Sequence, residues 1–86
     1  MNQQNNCTGT VKWWSRLRGY GFIHHCPAYP GLDIIVHYSD ILDDGGEGRH
    51  MDLYDEQPVT FDAMENVVGG KYKGMKAVNV RARRGA

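Results

Sequence analysis

No run of apolar residues in this chain approaches the roughly 20 needed to cross a bilayer as a helix. Nor does any window of a dozen residues carry the three-four spacing of an amphipathic helix. A membrane partner and a helical bundle are therefore not expected. Cysteine is scarce: Cys7 and Cys26 are too few for a disulfide framework or a zinc site, and two free thiols are the expectation. The two would still lie near each other if residues 9–25 form a hairpin, which leaves an oxidised pair open geometrically, though disfavoured in a reducing cytosol. The polar start, Met1 to Asn6, has neither the basic nor the apolar part of a signal peptide, so a cytoplasmic location is expected. An excess of positive charge is missing too, since ten Lys and Arg balance ten Asp and Glu. Read as an average, that balance argues against a nucleic-acid partner.

The average hides an asymmetry. Every acidic residue lies between Asp33 and Glu65, whereas Lys12, Arg16 and Arg18 precede that stretch and Lys71, Lys73, Lys76, Arg81, Arg83 and Arg84 follow it. If the chain ends meet in space, a basic surface faces away from an acidic one, and local potential governs an anionic ligand. With 86 residues, 41% of them apolar, the chain can build one small core and so one domain.

Glycine and proline cut the sequence into short pieces rich in β-branched and aromatic residues. Strands are expected at Gly9–Trp14, Tyr20–His25, Asp33–Tyr38, Pro58–Met64 and Met75–Arg83, the first two joined as a hairpin. The connections 26–32, 41–57 and 65–74 read as long, mobile loops. Five short strands in so small a chain point to an all-β, five-stranded antiparallel barrel of the OB type with extended loops, because closure protects edges that a small flat sheet would expose.

Alternation along the strands then sorts the side chains. Val11, Ile23, Ile34, Val36, Val59 and Val78 form a consistent inner set, which leaves Tyr20, Phe22 and His37 outside. Aromatics gathered on one outer face call for a ligand with flat apolar surfaces, and unpaired bases supply them, stacking at roughly 1–3 kcal/mol each with little regard to sequence. Lys12, Arg16 and Arg18 can pair with phosphates, and His37 can both stack and hydrogen-bond to a base edge. The competing arrangement fills the core with the aromatics and turns the aliphatics to solvent.

The segment Arg18-Gly19-Tyr20-Gly21-Phe22-Ile23 matches a ribonucleoprotein motif, and Asp33-Ile34-Ile35-Val36-His37 follows it with no helix between. With Gly9-Thr10-Val11-Lys12-Trp13, Tyr38-Ser39-Asp40-Ile41, Gln57, Val59, Phe61, and Lys73-Gly74 with Ala77-Asn79-Val80, the chain resembles the cold-shock domain from about residue 8 to residue 82. That resemblance divides the chain into a polar extension, 1–7, the domain, 8–82, and a basic tail, 83–86. It implies an OB-fold barrel without catalysis, cofactor or small-molecule substrate. It also implies binding of single-stranded RNA and DNA, as an RNA chaperone or a regulator of transcription or translation. Carried over position by position, the binding face comprises Lys12, Trp13, Trp14, Arg18, Tyr20, Phe22, Asp33, Ile35, His37, Tyr38, His50 and Lys73. Ile35 and His50 stand where the family commonly has aromatics, and Glu56 replaces a glycine before Gln57, so weaker binding or a shorter footprint is expected. A monomer is expected over a strand-swapped dimer.

Two other readings compete. His24, His25, Cys26, His37 and His50 include metal-ligating types, but adjacent histidines on a strand should point to opposite faces and no paired ligand spacing is present, so no metal is expected. An aromatic patch beside an acidic loop would also suit docking onto a nucleic-acid enzyme such as RNA polymerase.

Overall fold

The structure, a computed structural model, describes residues 3–42 and 52–82. Five strands, β1 (Gln3–Ser15), β2 (Tyr20–His24), β3 (Ile34–His37), β4 (Pro58–Val68) and β5 (Lys71–Ala82), close into a barrel in the order β1-β2-β3-β5-β4. One turn of 3-10 helix, Tyr38–Asp40, ends β3 where the sequence suggested that the strand continues to Tyr38. Four of the strand pairs are antiparallel, but β3 and β5 run parallel, through Ile35 opposite Lys76 and Val36 opposite Ala77. The expectation of a wholly antiparallel barrel is thereby corrected. Five is an odd number, and a closed ring of alternating directions needs an even one, so one seam must be parallel.

Two segments carry more strand than composition suggested. β1 starts at Gln3 rather than Gly9 because Gln3 and Gln4 pair with Met64 and Ala63 of β4, and backbone bonds of that kind need no apolar side chain. The segment 65–74, expected as a loop, is a continuous β4–β5 hairpin turning at Gly69 and Gly70. Both glycines have positive φ, 59° and 78°, which the tightest hairpin turns require at both central positions.

Val11, Ile23, Ile34, Val36 and Val59 are fully buried, as the alternation predicts, with Phe61, Ala77 and Val80 beside them. Truncating Phe61 to alanine in such a core costs about 3–5 kcal/mol. Val78 departs from its expected place and is only half-buried. The cause is a bulge: Asn79 takes φ 52° and the β4–β5 register slips between Thr60 and Asp62, so Ala77 and Val80, three apart, both turn inward. Asn79 Nδ2 donates to Asp62 Oδ2 at 2.9 Å, while Asp62 Oδ1 accepts the backbone N–H of Asn6 at 2.9 Å, where β1 has its own slip. These two donors, Asn79 first, hold the Asp62 carboxyl below its ordinary pKa.

Cys7 and Cys26 are buried free thiols. Burial first, and then the neighbouring Cys26 thiol, push Cys7 up to about 11. The loop after β2 is two consecutive turns, with Tyr29 N–H on Cys26 O and Leu32 N–H on Tyr29 O, anchored by buried Cys26 and by Tyr29 against the core. Among the described residues no helix is long and apolar enough to cross a membrane.

Candidate nucleic-acid interface

The β1–β2 ladder pairs Val11 with Ile23 but Trp13 with Phe22, so an extra residue is inserted around Lys12. Without that bulge Trp13 would follow Val11 into the core. With it, Trp13 turns outward and Trp14 turns toward the barrel end. Trp13, Tyr20 and Phe22 form a cluster of edge-on rings, with centroids 5.5 Å apart for Trp13–Tyr20, 5.2 Å for Trp13–Phe22 and 6.2 Å for Tyr20–Phe22. Edge-to-face contacts hold each ring in a set orientation. Tyr20 and Phe22 are half-buried and Trp13 is 36% exposed, while Ile23 and Val36 are inaccessible. The rings therefore lie outside the barrel and the aliphatics inside it.

The two motif glycines make this arrangement possible. A Cβ on Gly21 would run into the carbonyl of Trp13 and come within 2.9 Å of the Trp14 ring, so β1 and β2 approach closely only because that side chain is absent. Gly19, at φ 74°, lies beneath the Tyr38 ring, 2.6 Å from where its Cβ would stand, and its carbonyl accepts the Tyr38 N–H at 2.9 Å. Tyr38 is 52% exposed and packs against His37, with ring centroids 4.5 Å apart. His37 lies opposite Tyr20 in the β2–β3 ladder, and its Nδ1 accepts the Ser39 backbone N–H at 3.2 Å.

Cross-strand partners share a face, and the register follows one row around the barrel: Trp13, Phe22, Ile35, Lys76 and Met64. Ile35 thus occupies the centre of the outer face. Lys76, absent from the residues expected at the site, stands beside it. The signal that would have found Lys76 is the parallel seam, which nothing in β5 by itself announces. Lys73 is exposed on β5, separated from Lys76 by Gly74 at φ 96°.

Cations at the site are partly engaged. Lys12 Nζ lies 2.9 Å from Asp33 Oδ2, each side chain somewhat under half exposed. Arg18 is exposed on the β1–β2 turn, its backbone N–H on Ser15 Oγ. Trp14 stands apart from the ring cluster: it packs against the core, its indole N–H donates to Asp52 Oδ1 at 3.1 Å and its backbone N–H to Asp55 Oδ1 at 3.1 Å. Arg16 Nε holds the other Asp52 oxygen at 3.2 Å. His50 lies outside the described residues.

At the far end of β2 the two histidines also differ from expectation. His25 has φ 59°, which swings its ring back onto His24 with centroids 3.8 Å apart, so the pair share one side instead of pointing to opposite faces. His24 Nε2 is buried with no hydrogen-bond partner among the described residues. A buried polar atom left in that state costs about 1–3 kcal/mol. Among the described residues no group of three or more His, Cys, Asp or Glu gathers as metal ligands would.

Known proteins resemble this chain along most of its length. The family model for the 'Cold-shock' DNA-binding domain matches residues 7–83. The cold shock-like protein CspD of Escherichia coli is 39% identical over 74 residues, covering 86% of this chain and 92% of the relative. The cold shock-like protein of Aquifex aeolicus is 40% identical over 73 residues, covering 85% and 89% respectively. Cold shock-like protein CspB of Escherichia coli is 37% identical over 76 residues, with 88% and 92% covered. An outward ring cluster on a closed five-stranded barrel and matches of this extent agree, and the chain belongs to the cold-shock domain family.

Proposed function

We propose that this protein binds single-stranded RNA and DNA by stacking unpaired bases on Trp13, Tyr20, Phe22 and His37, with Tyr38 extending the platform. Lys12, Arg18 and Lys73, joined by Lys76, pair with the phosphates, and Asp33 and Ile35 complete the face. The observation that carries this reading is the cluster of three interlocked rings held outside a filled aliphatic core. Solvent-facing rings on a sheet this small are costly in water, and bases offset that cost by stacking. Holding bases apart from one another opposes duplex formation, so the cellular role would be that of an RNA chaperone or a regulator of transcription or translation, carried out in the cytoplasm by a monomer and without catalysis.

Titration with heptathymidine tests the proposal. Binding should quench tryptophan emission, weaken steadily as salt releases counterions, and exceed binding to duplex DNA, whose bases are already stacked. Phe22→Ala should cost about 1–3 kcal/mol of that binding. A flat titration would remove the proposal and leave docking onto a nucleic-acid enzyme as the use of the aromatic face.

A further inference from the structure

Alternation along β1 turns Cys7, Gly9 and Val11 inward together. At Gly9 β1 and β2 close up: a Cβ there would stand 2.6 Å from Ile23 Cγ2 and 3.0 Å from the His24 carbonyl oxygen. The register in that stretch sets Thr10 opposite His24, and so brings position 26 alongside positions 7 and 8. Unbroken alternation after Phe22 and His24 would leave Cys26 outside the barrel. His25, at φ 59°, reverses the direction, and Cys26 turns into the core at 1% exposure, where Cys7 lies at 5%. Cys7 hydrogen-bonds to the Cys26 thiol. Tyr29 packs against the core beside them, its hydroxyl raised above the ordinary tyrosine pKa by burial first and then by both thiols. The chain's only two cysteines, both free, therefore end side by side inside the barrel.

We propose that Cys7 and Cys26 form a reversible oxidation site, converted by hydrogen peroxide into one intramolecular disulfide that latches the β1–β2 hairpin. One thiol, on losing its proton, attacks a peroxide oxygen; the O–O bond breaks, leaving a sulfenic acid and one water. The second sulfur then attacks the sulfenic sulfur, the S–S bond forms, and the hydroxyl leaves as a second water. Two thiols have lost two electrons and two protons, and the peroxide has become two waters. A dithiol reductant reverses the change by exchange. Neighbouring antiparallel backbones lie about 4.5–5.5 Å apart, inside the ~4.4–6.8 Å that a disulfide spans, so the bridge asks little movement of this fold. Burial makes the site slow to react. Oxidant reaches it when the 26–32 loop opens, and that loop is held by its two turn hydrogen bonds and by Tyr29. The covalent loop runs from Cys7 to Cys26 and encloses Trp13, Tyr20 and Phe22, so the latch fastens the hairpin that carries the rings.

The experiment treats the full chain with hydrogen peroxide, removes the excess with catalase, and blocks the remaining thiols under denaturing conditions. The wild-type chain should lose two hydrogens in mass, keep no blockable thiol, and yield on digestion one pair of peptides joined through Cys7 and Cys26. Its melting temperature should rise by about 5–15 °C, because the cross-link restricts the unfolded chain, and should fall back on treatment with dithiothreitol. Cys26→Ala should show neither the mass loss nor the rise. Oxygen atoms added to the thiols in place of a bridge, or a disulfide formed only between molecules, overturns the site. A bridge that leaves the melting temperature unchanged or lower overturns the latch. The mass and peptide readouts are made on wild type, so they decide the matter even if Cys26→Ala does not fold.

Discussion

The ammonium of Lys12 and the carboxylate of Asp33 are 2.9 Å apart, so the cation that precedes Trp13 in the chain is already paired before any anion arrives. A half-exposed pair of this kind is worth at most about 1 kcal/mol. It does, however, set a competitor against phosphate. Asp33→Asn should tighten heptathymidine binding by about two- to five-fold. It should also steepen the logarithmic salt dependence by about 0.7, the share of one added phosphate contact on a single strand. Affinity measured between low and moderate salt checks both, and an unchanged slope would mean that Lys12 does not reach the backbone.

The two adjacent tryptophans should report different things. Trp13 belongs to the ring cluster, whereas Trp14 is tied to Asp52 and Asp55. Trp13→Phe should abolish most of the emission quenching on oligonucleotide binding. Trp14→Phe should preserve the quenching and lower thermal stability, because it discards the indole bond to Asp52, of the order of 1 kcal/mol. Equal quenching in both variants would contradict the assignment.

Adding one methyl group at either motif glycine should separate stability from the binding face. Gly21→Ala forces β1 and β2 apart and should cost about 3 kcal/mol or more in unfolding free energy. Gly19→Ala is strained at φ 74° and displaces the Tyr38 ring, so it should lose about 1–2 kcal/mol of stability and weaken binding together. Chemical denaturation alongside titration distinguishes the two.

Alkaline pH should unfold this protein early. Cys7 is raised in the folded state from 9.0 to about 11, so the unfolded chain loses this proton first. The contribution is fully present below pH 9 and disappears as pH rises through about 11. Cys7→Ala should flatten the decline in melting temperature over that window. A decline identical to that of wild type would place its cause elsewhere.

Strands β2 and β3 were readable in the sequence because their alternation is unbroken, and they alone put Tyr20, Phe22 and His37 on one side and Ile23, Ile34 and Val36 on the other. The errors gather where a strand holds one residue too many. Around Lys12 the insertion separates Trp13 from Trp14, and at Asn79 it exchanges Val80 for Val78 in the core. A bulge is set by pairing with another strand and by a local backbone angle, and one chain's composition carries little trace of either. Lys76 escaped for a similar reason: its neighbour Ile35 is about forty residues away in sequence and meets it only across the parallel seam. The Gly69-Gly70 turn did have a local signal, but the mixed polar residues on either side hid the strands it joins.

The seam between β3 and β5 has a kinetic meaning. Three of the five joints link strands consecutive in the chain, whereas this seam and β1–β4 join residues about forty or more apart, so the closure entropy of both falls due before their contacts form. Ring closure is then the late, slow event of folding, and amides along Ile35–Val36 and Lys76–Ala77 should acquire exchange protection after those of the β4–β5 hairpin. The same seam carries Lys76 to Ile35, so a chain that has made all its hairpins but not this joint holds its rings without the full surface that surrounds them.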